Sequence, residues 1–168
     1  NSAAAYAGPV TLGQSMVVKA RTLLAGNWSA LTEANFTVAF RGVPLRITEI
    51  NFNPAGGTAL EFIELQNIGG TPVDLSGLNF EGVTYTFPQG SSLAGGARLV
   101  LASDLSPGTF AAQYPGVAVA GYFAGNLSNG GERLVLKDSL GNIITSVDYD
   151  DAGGWAVAAD GGGASLES

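Results

Sequence analysis

A chain of 168 residues with no cysteine and no histidine excludes disulfides, thiol nucleophiles, imidazole bases and the metal sites built on either residue. Fourteen acidic residues against seven basic ones give a net charge of −7, which repels a phosphate backbone, so nucleic acid is not an expected partner. With 25 glycines, eight phenylalanines and only 12% charged residues, long amphipathic helices would lack polar residues for their wet faces, and an all-β class is predicted.

No stretch reaches the roughly 18 apolar residues that a membrane span requires. The chain opens on Asn1 and shows no charged-then-apolar leader, so a piece of a longer polypeptide is expected. Without cysteine the redox compartment is left open.

From the N-terminus, YAGPVTL (6–12) leads into SMVVKARTL (15–23) and GNWSALTEANFTVAF (26–40). Met16, Val18 and Ala20 alternate with Val17, Lys19 and Arg21, and Phe36 and Val38 alternate with Asn35, Thr37 and Ala39, which predicts two strands. Gly26-Asn27 is the predicted turn between them. Tyr6-Gly8-Pro9, Val18-Lys19-Ala20 and Ala34-Phe36-Val38 resemble the second half of the chitobiase C-terminal-like domain, a fibronectin-III-like sandwich. The resemblance implies that residues 1–42 are a partial β segment lacking the first strands of that fold. Such a segment leaves a sheet edge unpaired. It is therefore expected to dock on the larger domain or to form a homo-oligomer by strand pairing.

Arg41-Gly42-Val43-Pro44 is the predicted junction, since proline removes a ladder donor. Strands are then predicted at 45–51, 60–66, 78–80, 84–87, 97–101, 133–137 and 143–149, with turn residues between them. Leu45 and Ile47 share one face while Ile50 and Phe52 lie on the other, so a bulge is predicted near Thr48-Glu49. Asp138 to Asn142 forms the turn of a hairpin spanning Glu132 to Tyr149. The interval 103–131 is too long for a turn. Ser106 followed by Pro107 reads as an N-cap with proline at the first helical position, and Phe110, Gln113 and Tyr114 follow at helical spacing before Pro115-Gly116. One short helical insertion is predicted there.

Ile47-Thr48-Glu49-Ile50-Asn51, Glu61 to Asn67, Pro72 to Gly77, Phe87-Pro88, Leu93 to Gly96, Leu99 to Leu101, Leu127 to Glu132, Trp155, Ala159 to Gly161 and Ser165-Leu166-Glu167 together resemble the lamin tail domain. The resemblance covers residues 45–168 and is closer to bacterial members than to nuclear lamins. It implies an immunoglobulin-like β-sandwich with no shared catalytic residues, working as an interaction or scaffolding module of a larger secreted or cell-surface bacterial protein. Its partner would be a protein or a surface polysaccharide.

Most of these residues have structural duties. Asp74 to Gly77 and Leu93 to Gly96 suit tight turns, and Glu49, Glu61, Glu64 and Asn67 are expected to hydrogen-bond loop backbone at strand ends. A carboxylate pair on adjacent strands could act as a glycosidase acid and base, but only at a set separation facing a cleft. Asp148, Asp150, Asp151 and Asp160 are the candidate metal ligands, because calcium takes several hard oxygen donors. Against calcium, their spacing matches neither an EF-hand nor a repeat-type calcium loop, and no other cofactor is expected. Trp28, Trp155, Tyr114, Tyr122 and Phe123 are candidate sugar platforms, which makes a carbohydrate-binding accessory module of a secreted hydrolase the alternative reading. Asn27-Trp28-Ser29, Asn35-Phe36-Thr37 and Asn126-Leu127-Ser128 are formal glycosylation sequons, silent in a bacterium.

Overall fold

The computed structural model describes residues 5–10, 16–36, 42–152 and 155–167. Expectations for residues 11–15, 37–41 and 153–154 lie outside the described residues, as do those for the side chains of Met16, Asn35 and Phe36. The chain divides into two compact units, Asn1–Arg41 and Gly42–Ser168.

In the first unit β1 (Met16–Ala20) pairs antiparallel with β4 (Thr32–Phe36), Met16 opposite Phe36 and Ala20 opposite Thr32. Between them β2 (Leu23–Leu24) and β3 (Asn27–Trp28) form the tip of the ribbon. The tip turns on Ala25 and Gly26, at φ 50° and 82°. Two positive φ values make a hairpin turn whose twist matches its strands. The turn thus falls one residue before the predicted Gly26-Asn27, because the glycine is needed at the second central position. Val18 is half-buried, whereas Val17, Leu23, Leu24, Trp28 and Leu31 are exposed. Lys19 and Glu33, cross-strand neighbours, form an ion pair at 2.7 Å, and the Arg21 guanidinium stacks 4.2 Å over Trp28.

The second unit is the immunoglobulin-like sandwich. Its larger sheet runs β11 (Val119–Phe123), β10 (Arg98–Ser103), β6 (Phe62–Asn67), β5 (Leu45–Asn51), β14 (Leu166–Glu167). The facing sheet runs β13 (Ile143–Tyr149), β12 (Glu132–Lys137), β8 (Asn79–Glu81). A ribbon of β7 (Val73–Asp74) and β9 (Ser92–Leu93) stands beside them. Pairing is antiparallel except between β10 and β11, whose connection carries α1 (Pro107–Gln113). Ile63, Leu65 and Leu101 from one sheet meet Leu134, Leu136 and Phe80 from the other in one core. On β6 the alternation of inward Ile63, Leu65 and Asn67 with half-buried Phe62, Glu64 and Gln66 follows the two-residue period of a strand.

The predicted bulge is present: the β5–β6 register shifts between Ile47 and Glu49, leaving Thr48 as the extra residue. The helix is where proline placed it. Ser106, however, does not cap it through its side chain; its hydroxyl bonds the Thr109 hydroxyl at 2.8 Å. Two predicted strands are corrected. Thr58–Leu60 is a 3-10 turn, so that strand begins only at Phe62. Residues 84–87 make isolated bridges, Thr84 with Ala124 and Thr86 with Asn79, because this segment crosses from one sheet to the other. Among the described residues no helix is long and apolar enough to cross a membrane.

Candidate functional site

Glu61 sits where the 3-10 turn gives way to β6 and is wholly shielded from solvent. Its Oε2 accepts the Leu127 N–H at 2.8 Å, while Oε1 is buried with no partner among the described residues. Its carbonyl accepts the Ser103 N–H at 3.0 Å. The opposite sheet grips the same loop: Glu132 Oε1 accepts the Ser128 N–H and the Tyr149 hydroxyl, both at 2.9 Å. The Tyr149 hydroxyl also lies 3.1 Å from the Ser128 carbonyl, and its ring packs 5.1 Å from Phe52. Loop 127–131 is therefore held by carboxylates from both sheets.

Burial pushes the Glu61 carboxyl up to about 7; the Leu127 N–H works against that rise and the Glu132 charge adds to it. Tyr149 is raised above the usual phenol range by burial, by its bond to Glu132 and by that carboxylate's charge. A carboxyl poised near neutrality can exchange a proton, yet this one is fully buried.

A second buried polar group fixes the far end of β6. The Asn67 side-chain amide donates to the carbonyls of Thr71 (2.8 Å) and Leu93 (3.0 Å), and its Oδ1 accepts the Gly69 N–H at 2.9 Å. Buried Asn51 donates to the Tyr114 hydroxyl at 3.2 Å and leaves Oδ1 without a partner among the described residues, next to a cluster of Phe62, Phe110 and Tyr114.

Of the four residues expected to hold loop backbone, Glu61 and Asn67 do so. Glu64 instead accepts the Thr48 hydroxyl (2.6 Å) and pairs with Arg98 (2.9 Å), and Glu49 accepts the Ser165 hydroxyl. Asp148 lies beside Arg133 across the hairpin at 3.6 Å. Asp150 accepts the Ala152 N–H at 3.0 Å, which holds it low, while its bond with Asp151 raises the latter. Asp160 accepts the Asn53 amide at 2.6 Å. Among the described residues no three His, Cys, Asp or Glu side chains converge to hold a metal ion. Trp155 is half-buried against the core and Phe123 is fully buried, whereas Trp28 and Tyr122 are 52% and 41% exposed. A shallow groove is lined by apolar Ile47, Ile50, Val147, Trp155 and Leu166 together with Thr48, Glu49 and Glu167.

Glu132 and Tyr149 were not singled out as a pair from the sequence. Counting back from the Asp138–Asn142 turn sets Glu132 opposite Asp148, and only the register shift between Leu136 and Lys137 brings Tyr149 opposite it.

A family model described as Lamin Tail Domain matches residues 40–151, a span that takes in Glu61, Asn67, Leu127 to Glu132 and Tyr149. The match ends before Trp155 and Ser165 to Glu167, which the sequence reading assigned to the same domain. No curated protein matches the chain. Two facing sheets, one short helix and a family match over most of its length agree: the chain belongs to the lamin tail domain family.

Proposed function

We propose that the chain is a non-catalytic interaction module of a larger secreted or cell-surface bacterial protein. What carries the reading is the employment of its acidic side chains. Glu49, Glu61, Glu64 and Glu132 are each engaged by hydroxyls, backbone donors or a guanidinium of the fold. Contacts with a protein or a surface polysaccharide would run over strands and loops, and the N-terminal ribbon, similar to part of a chitobiase-type sandwich, would find its missing strand partners in another domain or a second copy. The test is turnover. The isolated chain is expected to leave chromogenic esters, glycosides and phosphate esters intact, and hydrolysis abolished by Glu61→Gln would overturn the reading.

A carbohydrate-binding accessory module is the second reading, favoured by the outward rings of Trp28 and Tyr122. Polysaccharide that changes tryptophan emission in the parent chain but not in Trp28→Ala would support it, and an empty glycan array would reject it.

A further inference from the structure

Asn129 and Gly130 occupy the centre of a turn closed by the Gly131 N–H donating to the Ser128 carbonyl at 3.2 Å. Both are exposed, and a Cβ added at Gly130 would meet nothing within 4 Å. Among the described residues neither the Asn129 carboxamide nor the Gly130 N–H has a hydrogen-bond partner. This is the sole Asn-Gly pair of the sequence. The other asparagines differ in ways that matter. Asn53 precedes Pro54, which has no N–H; Asn142 is tied to Asp138 and precedes branched Ile143; Asn67 is locked by three bonds.

We propose that Asn129 is a site of spontaneous succinimide formation, which converts this turn into an isoaspartyl linkage. The Gly130 amide nitrogen loses its proton to solvent base and attacks the Asn129 side-chain carbonyl carbon. A new N–Cγ bond closes a five-membered imide, the Cγ–Nδ2 bond breaks, and the nitrogen departs as ammonia after taking a proton from water. Water then opens either imide carbonyl. One opening gives aspartate; the other routes the backbone through Cγ and lengthens it by one methylene. No oxidant or reductant takes part. Glycine is the residue that permits the attack, since it has no side chain to shield the nitrogen.

The position gives the reaction a consequence. Ser128 is gripped by Glu132 and Tyr149, and a Cβ at Gly131 would come within 2.6 Å of the Tyr149 carbonyl. The turn is wedged, so an added methylene strains its hold on Ser128.

Incubating the full chain at mildly alkaline pH and mapping its peptides tests the idea. The expected result is a gain of one mass unit at the peptide holding Asn129, labelled by protein isoaspartyl methyltransferase, absent in Asn129→Gln and slowed in Gly130→Val. The proposal is overturned if the folded chain leaves Asn129 intact while the same chain unfolded in urea converts, or if labelling maps to another asparagine. The isoaspartyl form is further expected to melt below Asn129→Asp, which carries the charge without the extra methylene; equal melting points would overturn the loosening of the turn.

Discussion

Glu61 holds one carboxyl oxygen in the core with no donor among the described residues, and burial of the carboxyl makes it sensitive to pH. Unfolded, the group ionises near 4.5; folded, at about 7. Between those values the native state keeps a proton that the unfolded state has released, so stability falls as pH rises through the window and levels off above it. At roughly 1.4 kcal/mol per pH unit the loss reaches at most about 3 kcal/mol. Glu61→Gln copies the protonated group and is expected to flatten the decline, as urea melts from about pH 5 to about pH 8 would reveal. Parallel slopes for the two proteins would assign the effect elsewhere. Asp74 and Asp138, held low by Ser76 and Asn142, titrate below this window and leave it undisturbed. At Asn67 the expected loss is independent of pH. Asn67→Ala strips two carbonyls and one N–H of their buried partner and should destabilise by about 2–4 kcal/mol in denaturant melts. A change under about 0.5 kcal/mol would mean that water replaces the amide.

Backbone packs closely on backbone where loops 67–71 and 94–97 cross. A Cβ at Gly95 would press on the Gly70 carbonyl group and lie 2.8 Å from the Thr71 nitrogen, all of it backbone that cannot rotate away. Gly95→Ala should therefore cost about 1–3 kcal/mol. Gly108, in the first turn of α1, faces open space at an ordinary φ, so Gly108→Ala should stabilise by about 0.5–1 kcal/mol through a less flexible unfolded chain. Thermal melts of both variants check the opposite signs. The same contrast explains what was legible in the sequence. Strands with strong alternation, a proline-started helix and the hairpin around Asp138 could be read, because each rests on local chemistry. So could the bulge at Thr48, since a phase slip of the apolar pattern requires one. The two-residue strands β7 and β9 fell at segments read as tight turns, β14 was not read as a strand, and parallel β11 was hidden in the interval after α1, because their pairing partners lie far along the chain. The grip on loop 127–131 was hidden for the same reason: Leu127 is 66 residues from Glu61.

Across the whole molecule, stability is concentrated in one unit. The buried apolar side chains of the described residues all lie from Leu45 onward, and all but Leu60, Ala102, Phe110 and Val135 form one cluster running from Leu45 to Leu166. A domain spanning residues 42–168 is large enough to bury such a core, whereas about 40 residues without disulfide or metal rarely suffice. The N-terminal ribbon has two paired strands and an exposed tip, an arrangement that is marginal in water by itself. A fragment of residues 42–168 is thus expected to unfold in one cooperative transition, with fluorescence of Trp155 and far-ultraviolet dichroism changing together. A peptide of residues 1–41 should show no transition and no dispersed amide spectrum. If the larger fragment instead melted gradually, or its two probes separated, the shared core would not behave as one cooperative body. The claim that carboxylates from both sheets lock loop 127–131 would then fail as well, because that lock requires the sheets to open together.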